Sequence, residues 1–172
     1  QNFQDHPSLG PLRSREPSVA ASYLTASLTC VLESETPPEA LEGQLDALKT
    51  IGAEDASALT ALATLLFRLR SLAGGRYPPG FGIGERLTEL AQAVLGSTDE
   101  ALSEAWAKSI TNYVLRRAAT EPDRCRTMID GLRRAAGTRT QDALWEQWAM
   151  SVTNYARHRA AEEPEACRTM ID

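Results

Sequence analysis

Lysine and histidine are nearly missing from this chain, with two of each among 172 residues, whereas arginine occurs sixteen times. Arginine clustered on one face would signal recognition; spread along the chain, it reads as the imprint of a GC-rich genome. An excess of positive charge is also lacking. The net charge of −5 and a pI near 5.2 argue against a non-specific nucleic-acid binder, which needs a basic stripe. No apolar run approaches the roughly eighteen residues of a bilayer span, and no signal-peptide pattern opens the sequence. The three cysteines form an odd, unspaced set, which points to a reducing compartment and an expected cytoplasmic location. Motifs of catalysis are missing as well: there is no Gly-rich loop ending in Lys-Ser/Thr, no His-Glu-x-x-His and no Gly-x-Ser-x-Gly. Accordingly no catalytic residue, metal or cofactor is expected. His6 lies in an irregular tail and His158 stands where an earlier copy has Arg116, so both are expected in solvent.

What the chain does contain is a copy of itself. Ala101–Asp130 recurs as Ala143–Asp172, forty-two residues later and without insertion, and twenty of the thirty positions are identical. Self-similarity at such a period marks stacked supersecondary units. Each copy predicts two helices. Leu102, Trp106, Ile110 and Tyr113, spaced four, four and three, form one helical face, repeated as Leu144, Trp148, Val152 and Tyr155. After a Glu-Pro turn, Cys125, Met128, Ile129 and Leu132 predict a second helix that stops at Gly137. Proline suits the first helical turn, and Asp123 or Glu165 suits the dipole there.

The same ladder extends backward. Leu41, Ile83, Cys125 and Cys167 fall in one column; Leu45, Leu87, Ile129 and Ile171 in another; Leu48, Leu90 and Leu132 in a third. Leu24–Leu28–Val31 and Leu62–Leu66–Leu69 repeat the first-helix step. The pattern predicts an all-α fold, an α-solenoid of about four helical hairpins. Its units are about 17–53, 54–97, 98–139 and 140–172, after a tail at 1–16, with Pro17 opening the first helix. Gly74–Leu87 is expected as the longest loop. Its Gly80-Phe-Gly-Ile-Gly84 run lacks the preceding strand of a dinucleotide site and reads as a connection. The fourth unit breaks off inside its last helix, so the chain is expected to be a piece of a longer protein. A lone hairpin cannot bury its apolar face, but stacked neighbours share a core.

The WAKSITNY and WAMSVTNY helices, each followed by a Pro-bearing turn and an apolar second helix, resemble tetratricopeptide-type repeats, specifically their long, forty-two-residue variant. The resemblance spans roughly residues 17–172 and implies a right-handed superhelix whose first helices line a concave, peptide-holding groove. The expected function is a non-catalytic scaffold or adaptor that holds a peptide or protein. The alternatives are end-to-end self-assembly into filaments and a sensor arm of a larger enzyme. No nucleic acid and no membrane insertion are expected.

Six residues are expected to meet the partner. Asn112 and Asn154 share one column beside the core tyrosines, and their amides offer donors and acceptors to an extended backbone. Thr111 and Thr153 adjoin them. Lys108 lies one turn before Asn112 and resembles part of a carboxylate clamp, although Met150 replaces it in the next copy. Trp145 stands where the third unit has Ser103, so it is expected at the surface as an anchor. Trp106 and Trp148 are expected as core knobs, Cys125 and Cys167 as core fillers. Arg116, Arg117, Arg157, His158 and Arg159 are expected as a solvated basic patch near helix C-termini.

Overall fold

The computed structural model describes residues 38–52 (side chains from 42), 56–69, 82–139 and 142–171, with the single positions Ser22 and Ala26. Expectations for the tail, the helix from Pro17, the Leu24–Leu28–Val31 ladder, the Leu41 side chain and most of the 74–87 loop lie outside these residues. Among the described residues the fold is all-α, with no strand. No helix among them is long and apolar enough to cross a membrane.

The chain divides into two compact units, 1–83 and 84–172. In the first, α1 (Pro38–Gly52) packs on α2 (Ala56–Arg68). Leu45, Leu48 and Ile51 recur every third residue on α1 and are buried, as are Leu62, Leu65 and Leu66 of α2 and Leu69 just beyond it. Burying each such side chain stabilises by about 1.5–3 kcal/mol, which is what selects these faces.

The second unit holds α3 (Ile83–Gly96) from its second residue on, α4 (Glu100–Arg117), α5 (Pro122–Gly137), α6 (Asp142–Arg159) and α7 (Pro164–Thr169). Helix α3 starts at Ile83, so the last residues of the expected 74–87 loop are helical. Gly82 enters it at φ 53°, a left-handed conformation that glycine adopts without a Cβ clash. The bounds of α6 and the start of α7 lie forty-two residues beyond those of α4 and α5. Asp99 caps α4, its carboxylate accepting from the Leu102 amide at 3.1 Å. Helix α4 packs on α5 and α6, α5 also packs on α6, and α6 packs on α7.

Helix α3 joins this group through three polar clasps. The Trp106 indole N–H donates to the Leu87 carbonyl at 3.0 Å. Arg124 pairs with Glu85 at 2.6 Å. Arg139 donates to the Val94 and Ser97 carbonyls at the end of α3, and to Ser103 Oγ. Val94 lies in the last turn of α3, where its carbonyl also accepts from the Ser97 amide at 3.2 Å.

The inward columns hold with two corrections. Ile83, Leu87, Leu90, Cys125, Ile129, Leu132 and Cys167 are all buried. Ile171 is instead 66% exposed, because α7 ends at Thr169 and no described helix lies over the next turn. Trp148 is only half-buried, and its ring stands edge-on to Trp145 at 5.5 Å between centroids.

Candidate functional site

The six expected partner residues do not share one surface. Thr111 is a correction: it is 6% exposed and lies between α4 and α6. Its hydroxyl sits 3.1 Å from the Ala107 carbonyl, 3.2 Å from the Gln147 carbonyl and 3.0 Å from Ser151 Oγ. Ser151 Oγ is also 2.8 Å from the Gln147 carbonyl. Two hydroxyl protons serve this cluster, and both are donated within the helix pair. Thr111 is a clasp between helices and does not face a groove.

Asn112 is 9% exposed, and its amide nitrogen donates to the Lys108 carbonyl of its own helix at 3.0 Å. Asn154, its counterpart, is half-buried. Lys108 is exposed and paired with Glu104 at 2.5 Å, an i,i+4 contact with both side chains about half in water. Such an exposed pair contributes little. Thr153 is exposed, its hydroxyl donating to the Ala149 carbonyl at 2.9 Å. Trp145 is 41% exposed and lies on the surface.

Among the described residues, two of the four exposed large apolar side chains lie on α6, the others being Leu95 and Ile171. Beside Trp145, Met150 is 51% exposed, and Ile171 follows α7. Trp145, Ala149 and Thr153 recur every fourth residue and form one exposed stripe. Met150 lies on a different side of the helix, above Asn154. Met150, Ala149 and Ile171 were not expected at the surface. The signal for Met150 was its exchange with a lysine, which says that the position faces water.

A repeated polar knot was also not foreseen. Glu121 and Glu163 precede the prolines of α5 and α7, and neither side chain caps its helix. Instead each accepts a tyrosine hydroxyl: Tyr113 to Glu121 at 2.6 Å and Tyr155 to Glu163 at 2.7 Å. Arg124 meets Glu121 at 2.9 Å, while Arg126 reaches Glu163 at 2.6 Å, and Arg159 also donates to Glu163. Burial, then the bonded carboxylate, pushes both tyrosines up, Tyr155 to about 12. The Arg159 guanidinium and the Tyr155 hydroxyl hold Glu163 below the usual glutamate range. Arg159, and Arg117 at 3.7 Å from Glu121, therefore belong to these knots more than to a solvated patch. Arg116, Arg157 and His158 are exposed.

The knot explains a glycine. A Cβ on Gly84 would stand 2.5 Å from the Tyr113 hydroxyl and 2.6 Å from Arg124 Cδ. Gly84 lies forty-two residues before Arg126, so the space an arginine uses in the later copy is here filled by Tyr113 and Arg124.

Cys125 and Cys167 are free, buried thiols. Burial pushes Cys125 up to about 12, far from the reactive range. No group of three metal-ligating side chains occurs among the described residues. Comparison with family models, with curated proteins and with solved structures gives no match.

Proposed function

We propose that this chain is a non-catalytic interaction scaffold or adaptor that holds a peptide or protein segment against an α-solenoid of the long tetratricopeptide type. The observation that carries the reading is α6, which turns two large apolar side chains, Trp145 and Met150, to water on two of its sides. Aromatic and methionine side chains are enriched at protein interfaces, and tryptophan is enriched among their energetic anchors. Lys108 and Asn154 supply polar groups on the side of Met150, at the rim of the proposed concave groove. The buried, unpaired thiols of Cys125 and Cys167 favour a cytoplasmic setting.

Selection from a displayed library of short peptides tests this. Ligands enriched on the wild-type chain are expected to lose binding to a double variant, Trp145→Ser with Met150→Lys, which restores the residues of the preceding copy. No enrichment, or enrichment indifferent to both changes, removes the reading. End-to-end self-assembly is a second reading, favoured by the exposure of Trp145 together with Ile171. A sedimentation coefficient independent of concentration excludes it.

A further inference from the structure

Three cysteines and three methionines make up the sulfur of this chain, and all but Cys30 lie in described positions. Four of those five are shut away. Cys125 and Cys167 are buried, and burial pushes both thiols up, Cys125 to about 12. Met128 and Met170, forty-two residues apart in the sequence, are 4% and 7% exposed. Met150 is the exception among the described residues, with 51% of its surface in water.

That openness belongs to the position. Forty-two residues earlier, Lys108 keeps 49% of its side chain exposed although α5 and α6 both pack on its helix. The position therefore faces water in a covered helix as well as in α6. A lysine there also shows that the fold accepts a polar, hydrated group at this place. The two copies differ in what lies one turn further on. Asn112 donates to the Lys108 carbonyl, whereas the Asn154 amide makes no hydrogen bond among the described residues. Residues four apart on a helix are neighbours, so the Asn154 N–H groups are free to meet a new acceptor on the side chain of residue 150.

An exposed thioether is open to oxidation, and its sulfoxide is polar. Resting on the scaffold reading, we infer that Met150 is a site of reversible oxidation by peroxide, and that its sulfoxide withdraws an apolar anchor of α6 without disturbing the fold. A sulfur lone pair attacks one oxygen of hydrogen peroxide, and the S–O bond forms as the O–O bond breaks. The proton on the transferred oxygen joins the departing hydroxide as water. Sulfur is oxidised by two electrons, and the peroxide is reduced by the same two. The buried thiols do not divert the reagent, because the thiolate is the reacting form and is scarce in both. Met128 and Met170 are covered, and a sulfoxide oxygen in either place is a polar atom in the core, which is costly.

Hydrogen peroxide applied to the 172-residue chain, followed by peptide mass spectrometry, tests the site. Met150 is expected to gain oxygen about tenfold faster than Met128 and Met170, with circular dichroism and melting unchanged. Peptides enriched by display on the untreated chain are expected to bind the oxidised chain about tenfold more weakly, the value of one buried apolar side chain. Methionine sulfoxide reductase with dithiothreitol is expected to restore binding. Met150→Leu is expected to keep the ligand and to be indifferent to peroxide. Equal oxidation of the three methionines, a melting temperature lowered by oxygen at Met150, or binding unchanged by complete Met150 sulfoxide overturns the inference. Loss of binding by peroxide-treated Met150→Leu overturns it too. Ligands that need Trp145 and ignore Met150 sink this inference and leave the scaffold reading standing. Where no ligand is enriched, the scaffold reading fails and the loss of the anchor with it, while the mass spectra still decide the oxidised site.

Discussion

Trp106 and Trp148 occupy the same position of a duplicated helix, yet among the described residues only one of their indole N–H groups finds an acceptor. Trp106 donates to the Leu87 carbonyl at 3.0 Å, whereas the Trp148 nitrogen is buried with no partner among the described residues. Trp106→Phe therefore loses a hydrogen bond and fully buried volume, and is expected to cost about 2 kcal/mol. Trp148→Phe removes a donor that gains nothing and is expected to change stability by less than about 1 kcal/mol. Urea unfolding of both variants, followed by circular dichroism, measures the difference.

Two glycines in helices make opposite predictions. Gly84→Ala drives a methyl group into the Tyr113 hydroxyl and Arg124, opening the bond to Glu121, and is expected to destabilise by about 1–3 kcal/mol. Gly131 is buried too, but a Cβ there meets only the Trp106 ring, at 4.0 Å. Gly131→Ala is expected to be neutral or to stabilise by about 0.5–1 kcal/mol through reduced backbone freedom in the unfolded chain. Thermal melts of the pair check both signs.

Acid weakens the knot at Glu163. Glu163 titrates below its ordinary range in the folded chain, so its contribution is complete above the ordinary glutamate pKa, about 4.3, and is lost as pH falls through the depressed value. Tyr155 titrates above its ordinary range, so its contribution holds below about 10 and fades as pH rises through about 12. Denaturant unfolding at pH 7 and pH 3 is expected to show a larger acid loss for wild type than for Glu163→Gln. Equal losses contradict the assignment.

Thiol chemistry reports on opening of the core. With Cys125 raised to about 12 by burial, its thiolate is scarce at pH 8 and its sulfur is covered. Iodoacetamide labelling, read by peptide mass spectrometry, is expected to reach Cys125 only as fast as the unit unfolds. Cys167, 7% exposed on the short α7, is expected to react sooner.

Helix type and the inward columns were legible because burial follows spacing, and the spacing was written twice. Neighbours were not, because identical residues can face different environments. Ile171 shares its column with Ile129 and still meets water, since burial needs a covering helix as well as an apolar side chain. Thr111 was grouped with Asn112 by adjacency along the chain, while its packing belongs to the four-four-three stripe of small residues from Ser103 to Val114. That stripe signals close helix contact and was available in the sequence. The tyrosine–glutamate knots left a fainter trace, a Tyr and a Glu eight residues apart in both copies. Nothing in that spacing says that a residue beside a helix start is bonded away from its own helix.

The clasps between α3 and its neighbours bear on how this chain can be dissected. A fragment cut at the sequence boundary, near residue 98, strands the Trp106 N–H without the Leu87 carbonyl, Arg124 without Glu85, and Arg139 without the end of α3. A piece begun at Ile83, half a repeat earlier, keeps these three clasps, so the cut that spares them falls before a second helix and not before a hairpin.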